Sequence, residues 1–331
     1  MVSNSAAMPG GALARPSADA TVRQASVPDA RRLLQLGLAA IWLLDGVLQY
    51  QSFMFTRAFG QMLAAGAPGN PAVIADPITW AARIVEQHPV PTNAAFATIQ
   101  LVLGIGIACR PTVRAALAAS VAWALAVWWF GEGLGGVLNG GASPVNGAPG
   151  AVIIYALLAV LLWPAARDRA GRATFVAARA VGPAVARGLW LILWGSLAYF
   201  AVTAANRTTQ GLHDMIAGMA AGEPGWLAAL NRAAAGLLAQ HGLTASVVLA
   251  VVLAAVAVGV FLPPGLARAA VVLAIALALL IWVVGQDLGG ILAGGGTDPN
   301  SGLLLALVAL AYWPASGSGS GTPEVTMEPQ S

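Results

Sequence analysis

Only 9% of the 331 residues are charged, so an ionisable side chain inside an apolar run needs a chemical reason. Asp45 lies within the stretch LAAIWLLDGVLQ. A carboxylate near the centre of a membrane helix costs about 2.5–3.5 kcal/mol on insertion scales, and such a group faces a partner or a cavity. Glu132 and Asp287 stand in GEGLGG and GQDLGG, where two further apolar runs end. With Gln49 and Gln286 they could form an acidic vestibule that takes a cation, relays protons or accepts hydrogen bonds from a quinol hydroxyl. The plainer reading holds Asp45 in an interhelical hydrogen bond and leaves Glu132 and Asp287 solvated. Asp45, Gln49, Glu132 and Asp287 are therefore the candidate cofactor-binding residues.

The histidines offer a second chemistry. His88 (EQHPV) and His241 (AQHGL) occupy matching positions, and His213 lies near Asp214, Met215 and Met219. Such a set could ligate a metal or haem, and His/Met donors suit copper; a polar residue at a helix boundary is the plainer role. The single cysteine, Cys109, excludes intramolecular disulfides, CxxC pairs and thiolate-held iron–sulfur clusters. All 16 basic residues are arginine, which excludes lysine Schiff-base chemistry. No phosphate loop, nucleophile elbow, zinc motif or nucleotide fingerprint is present.

The elements that must position these groups are membrane helices. Hydrophobic residues make up 58% of the chain and mean hydropathy is +0.77. Soluble domains carry roughly 25% charged residues, so a soluble enzyme, a nucleic-acid-binding domain and a disordered protein are excluded. Apolar runs near 33–50, 93–109, 114–130, 150–164, 189–205, 244–262, 268–285 and 302–314 predict eight transmembrane helices. With the N-terminus inside, twelve arginines fall in cytoplasmic segments, against Arg57, Arg83, Arg207 and Arg232 outside. That bias follows the positive-inside rule and places both termini in the cytoplasm of a multi-pass cell-membrane (inner-membrane) protein. Residues 1–30 and 316–331 read as disordered tails, and 167–188 as a basic linker between repeats at 31–166 and 189–315. Asp76-Pro77 reads as the start of a short interfacial helix, and Leu227, Leu230, Ala234, Leu237 and Leu238 mark a second. Most tryptophans, including Trp128, Trp190, Trp194 and Trp282, fall near the ends of these runs, as an interfacial belt would.

The chain contains an internal duplication. GEGLGGVLNGG at 131–141 aligns with GQDLGGILAGG at 285–295, and the same shift pairs Arg114 with Arg268, Trp128 with Trp282 and Asn146 with Asn300. Four helices per copy would keep the orientation, giving an all-α fold of two parallel four-helix repeats. Gly131/Gly135 and Gly285/Gly289 form GxxxG spacings, for which close helix packing is the expected role. In the alternative, the following loops, SPVNG and TDPNSG, fold back to line a site. No acid in the second copy matches Asp45.

The stretches LAAIWLLDGVLQ, GQMLAAGAP and IQLVLGIGIACRPTVRAALA resemble the DoxX/DoxD-like family of four-helix membrane proteins. Gly46, Gln49, Gly66, Pro68, Gln100, Gly104, Gly106 and Arg114 take the family positions, with Gln100 where the family usually has a carboxylate. The resemblance implies a subunit in quinone-linked redox chemistry, with quinone as the ligand and other membrane subunits of a redox complex as partners. Two further readings follow from the residues. One is a transporter or permease for a small solute or metal ion, running between the repeats; the other is a scaffold subunit of a membrane complex.

Overall fold

The computed structural model describes residues 29–164, 174–203 and 206–314. Both proposed tails lie outside the described residues except at Asp29 and Ala30, and so does the start of the linker. Thirteen α-helices occur among the described residues, and no strand. The first half holds α1 (Ala30–Leu48), α2 (Arg57–Ala64), α3 (Ala72–Gln87), α4 (Pro89–Ala108), α5 (Val113–Phe130) and α6 (Ala151–Leu161). The rest of the linker begins with α7 (Val176–Val181), whose Val176, Ala177 and Ala178 are buried. The second half holds α8 (Pro183–Ala201), α9 (Gly211–Met219), α10 (Gly225–Leu238), α11 (Gly242–Gly259), α12 (Pro264–Leu280) and α13 (Asn300–Ala311).

The packing repeats. α1 packs on α4, α4 on α5 and α5 on α6; in the second half α8 packs on α11, α11 on α12 and α12 on α13. The halves meet where α6 lies against α13. Lipid gives helices no hydrophobic reason to associate, so small residues at their crossings matter. A Cβ on Gly104 would run into Leu43 of α1, and one on Gly46 into Leu101 of α4. At the next crossing Gly106 meets Ala116, and its counterpart Gly259 meets Ala270.

The expectation of eight transmembrane helices in two four-helix repeats is overturned. Among the described residues five helices are long and apolar enough to cross a membrane: α4, α5, α8, α11 and α12, the last running on through a π-helical turn to Gly285. The first half thus supplies two and the second three. α6 has 11 residues and α13 has 12, about 16–18 Å at the helical rise, against roughly 30 Å of hydrocarbon. Their residues are spent on loops: 131–150 and 286–299 fold back in turns before each short helix begins. α1 has 19 residues but carries Arg31, Arg32 and Asp45. The protein is a polytopic, largely helical membrane-type architecture with repeated packing, not a symmetric pair of four-span units.

Two local expectations also change. α3 begins at Ala72, so Pro77 lies inside it. A proline there cannot donate to the carbonyl four residues back, and that carbonyl, of Val73, instead accepts the Trp129 indole N–H at 3.3 Å. Trp190 and Trp194 are not belt residues: both are fully buried, and Trp190 packs against Tyr312 with ring centroids 4.7 Å apart.

Candidate functional site

α1 and α6 bring the first two polar groups together. Asp45 is 1% exposed and accepts a 2.5 Å hydrogen bond from the Tyr155 hydroxyl through Oδ2, while its Oδ1 has no partner. Tyr155 is fixed by Trp42, whose ring centroid lies 4.3 Å away and whose indole N–H donates to Ser120 of α5. One turn past Asp45, the Gln49 carbonyl accepts from Asn93 of α4 at 2.7 Å, leaving the buried side-chain Oε1 of Gln49 unpaired.

Glu132 arrives through the loop. α5 stops at Gly131, and the chain then turns through Leu134 and Gly135, both at positive φ. A Cβ on Gly135 would overlap the Pro149 carbonyl, so only glycine lets the loop close on itself here. The turn aims Glu132 at the start of α6, where Oε1 accepts from Val152 N at 3.2 Å and Oε2 is left unpaired. Burial first, and then the negative charge of Asp298, push the Glu132 carboxyl up to about 8. A neutral carboxyl is the cheaper state in such a site.

Asp298 comes from the second half. Its carboxylate accepts from Asn300 N at 2.7 Å and from Thr297 Oγ1 at 2.8 Å, and burial raises its pKa. Asp45, Gln49, Glu132 and Asp298 all border one cavity of about 430 Å³. Its walls are aromatic: Trp42, Phe59, Trp80, Phe96, Trp123 and Phe130. Besides the free oxygens already named, Gln100 Oε1 and the Trp123 indole N–H also face it without partners. No arginine or histidine lines it among the described residues. The volume falls within the range of small-molecule pockets, roughly 300–1,000 Å³. A space rich in acceptors and aromatic faces suits a ligand that donates hydrogen bonds.

Asp287 stands apart. It is 2% exposed, accepts from Asn231 of α10 and lines neither cavity of the loop region. Burial raises its pKa and the Asn231 amide opposes that. It belongs to the second-half turn, where Asp287 and Leu288 both take positive φ. The glycines behave alike: Gly135 and Gly289 serve turns rather than helix ridges, which corrects the packing role drawn from their GxxxG spacing. Both loops fold back: TDPNSG brings Thr297 and Asp298 to the aromatic cavity, while SPVNG sets Val145 against Leu212 and Ile216 of the second half.

The histidines are not brought together. His88 caps the junction of α3 and α4, His241 precedes α11, and His213 pairs with Asp214 at 2.8 Å. Among the described residues no group of three histidine, cysteine or acidic side chains could hold a metal ion. The three histidines therefore form no common ligand set for copper or haem among the described residues.

The duplication pairs residues differently in the loop than a constant shift suggests. Trp128 and Trp282 each donate at 2.7 Å to a proline carbonyl, that of Pro149 and that of Pro299. The second loop is thus four residues shorter, and Asn300 corresponds to Gly150, both at positive φ, rather than to Asn146. Gln286 matches Glu132: its Oε1 accepts from Gly302 N at 2.9 Å, as Glu132 accepts from Val152 N. Sequence reasoning missed Asp298 and Tyr155. The only signals available were an acid in a Gly/Pro-rich loop and one hydroxyl in an otherwise apolar helix.

No family model, no curated protein and no solved structure matches this chain.

Proposed function

We propose that the protein is a quinol-binding subunit of a cell-membrane redox complex, with the cavity of the first half as its site. One observation carries the reading: Asp45, Gln49 and Glu132 converge on a single aromatic-walled space with unpaired acceptor oxygens. Two quinol hydroxyls would donate to Asp45 Oδ1 and Glu132 Oε2, with Gln49 Oε1 as a third acceptor. The quinol ring would lie among Trp42, Phe96 and Trp123, and its isoprenoid tail would leave past Trp80, which is 61% exposed. The resemblance to DoxX/DoxD-like proteins, carried by Gly46, Gln49, Gly104 and Gly106, supports the same chemistry. Quinone supplies the electron transfer when bound; the chain's residues bind, orient and hold protons.

Titration of a short-tail quinol analogue into the nanodisc-embedded protein, read by tryptophan fluorescence, tests this. Saturable quenching that Asp45→Asn weakens is the expected result, and no saturable quenching would refute it. A second reading draws on a specific observation: among the described residues, three carboxyl groups line the cavity and no arginine or histidine does. Aromatic faces and carboxylates together suit an organic cation. Saturable binding of tetraphenylphosphonium in place of the quinol would move the assignment to a transporter.

A further inference from the structure

Glu132 and Asp298 border two cavities, not one. Beyond the aromatic space lies a second cavity of about 390 Å³, bordered by Gly136, Asn139, Asn146, Gly147 and Asn300. Asn139 and Asn146 are exposed, so this second space opens to water at the loop end of the bundle. The aromatic cavity itself opens past Trp80, and the two carboxyl groups stand at its junction with the polar cavity. We propose that Glu132, held beside Asp298, passes protons between Asp45 and the water of the polar cavity, making the first half a one-sided proton port.

The hydrogen bonds divide the labour. Asp45 keeps Oδ2 on Tyr155 and has Oδ1 free toward the aromatic cavity. Glu132 has Oε1 anchored on Val152 N, with the Ala151 N–H also drawn to the carboxyl, and Oε2 is the oxygen left to gain and lose a proton. Asp298 has its two oxygens engaged by Asn300 and Thr297, which hold it in place and oppose the rise in pKa that burial imposes. Asp298 from the second-half loop and Tyr155 from α6 lie within electrostatic reach of Glu132, and Asp45 from α1 borders the same cavity. Burial and Asp298 together bring Glu132 to about 8, where a carboxyl can both take and release protons near neutral pH. Only O–H bonds form and break: Asp45, or a hydroxyl bound beside it, gives up a proton, Glu132 takes it, and water receives it. The second half cannot do this, because Gln286 replaces Glu132 and is tied to Ser301, Gly302 and Pro144.

The port rests on the quinol reading only for what would use it, so the test needs no ligand. Infrared spectroscopy follows H₂O/D₂O exchange of the Asp45 carboxylic C=O band, assigned by its loss in Asp45→Asn, in nanodisc-embedded protein. Glu132→Gln is expected to slow that exchange by roughly 100-fold, the scale of one positioned proton carrier. A second arm uses Cys109→Ser combined with Asn139→Cys, an exposed loop position whose side chain accepts one hydrogen bond from Gly141 N. A cationic thiosulfonate on the introduced thiol should slow exchange about tenfold by blocking the polar cavity. Unchanged exchange in both arms, or no exchangeable Asp45 band, would overturn the proposal. Fluorescence titration of the same samples separates the two ideas. Quinol binding with unchanged exchange removes the port alone, and slowed exchange without quinol binding removes the quinol alone.

Discussion

The two halves use the same backbone device for different ends. In each, a tryptophan near the end of a long helix donates to a proline carbonyl in the loop that follows, a leucine and a glycine turn through positive φ, and a polar side chain caps the short helix beyond. In the first half that cap is Glu132, and in the second it is Gln286. The loops also cross over. Pro144–Asn146 of the first half reaches Gly285 and Gln286 of the second, where Val145 packs with Leu212, Ile216 and Ala235. The return loop brings Thr297 and Asp298 to the first half, and there the space stays open. With Trp42 set against Trp194 and Pro149 against Pro299, Leu197 and Leu305 stand where Asp45 and Tyr155 stand, and both leucines are fully buried. One copy is packed as a support, and the other keeps polar groups and a cavity. The second copy buries a carboxyl as well, but Asp287 is paired with Asn231, whereas Asp45 keeps one oxygen without a partner, and an unpaired polar atom at such a position is the costlier arrangement.

Exchanging the polar groups between halves should break this comparison most strongly. Leu197→Asp places an unpartnered carboxylate in the closed half and should cost roughly 3–5 kcal/mol, read as lost thermal stability in detergent. The reverse exchange, Asp45→Leu with Tyr155→Phe, should leave stability unchanged or raise it while abolishing ligand binding. Gly135→Ala and Gly289→Ala should be about equally damaging, at roughly 3 kcal/mol each, because both loops need that turn. Gly140→Ala is the control. It also has positive φ but nothing within 4 Å, and should cost only about 1–2 kcal/mol.

Binding and titration sharpen the difference further. Asp45→Asn should weaken the quinol analogue by about 5- to 10-fold, the worth of one hydrogen bond. A carbodiimide that attacks protonated carboxyls should label Glu132, and labelling should fall as pH rises through about 8. The sign follows from the raised pKa: the group is neutral below that value and ionised above it. Labelling of Glu132 only at acidic pH would contradict the buried, Asp298-coupled environment. The smallest effect should be symmetric. Trp128→Phe and Trp282→Phe each remove one hydrogen bond and should cost about 1 kcal/mol apiece in thermal stability.

Much of this was legible in the sequence. Each of the eight apolar runs coincides with a helix, and the Gly-rich repeat marked two equivalent turns. The number of spans was not legible, because hydropathy does not say where a chain folds back; α6 and α13 end up too short. Asp45, Gln49 and Glu132 could be read from the cost of polar groups in apolar surroundings. Asp287 looked equivalent to Glu132 because both sit in repeated motifs, yet the residue equivalent to Glu132 is Gln286, and Asp287 turns toward Asn231. Asp298 stayed hidden because its role depends on a loop crossing between halves, a long-range contact that no local pattern carries.

Photoaffinity mapping with a quinol analogue bearing a photoreactive ring tests the asymmetry most directly. Adducts confined to the first-half walls, at Trp80, Phe96, Trp123 or Phe130, and suppressed by excess unlabelled quinol analogue, are the expected result. Adducts around Val145, Leu212 and Ile216 in the second half, or labelling that excess quinol does not suppress, would contradict it.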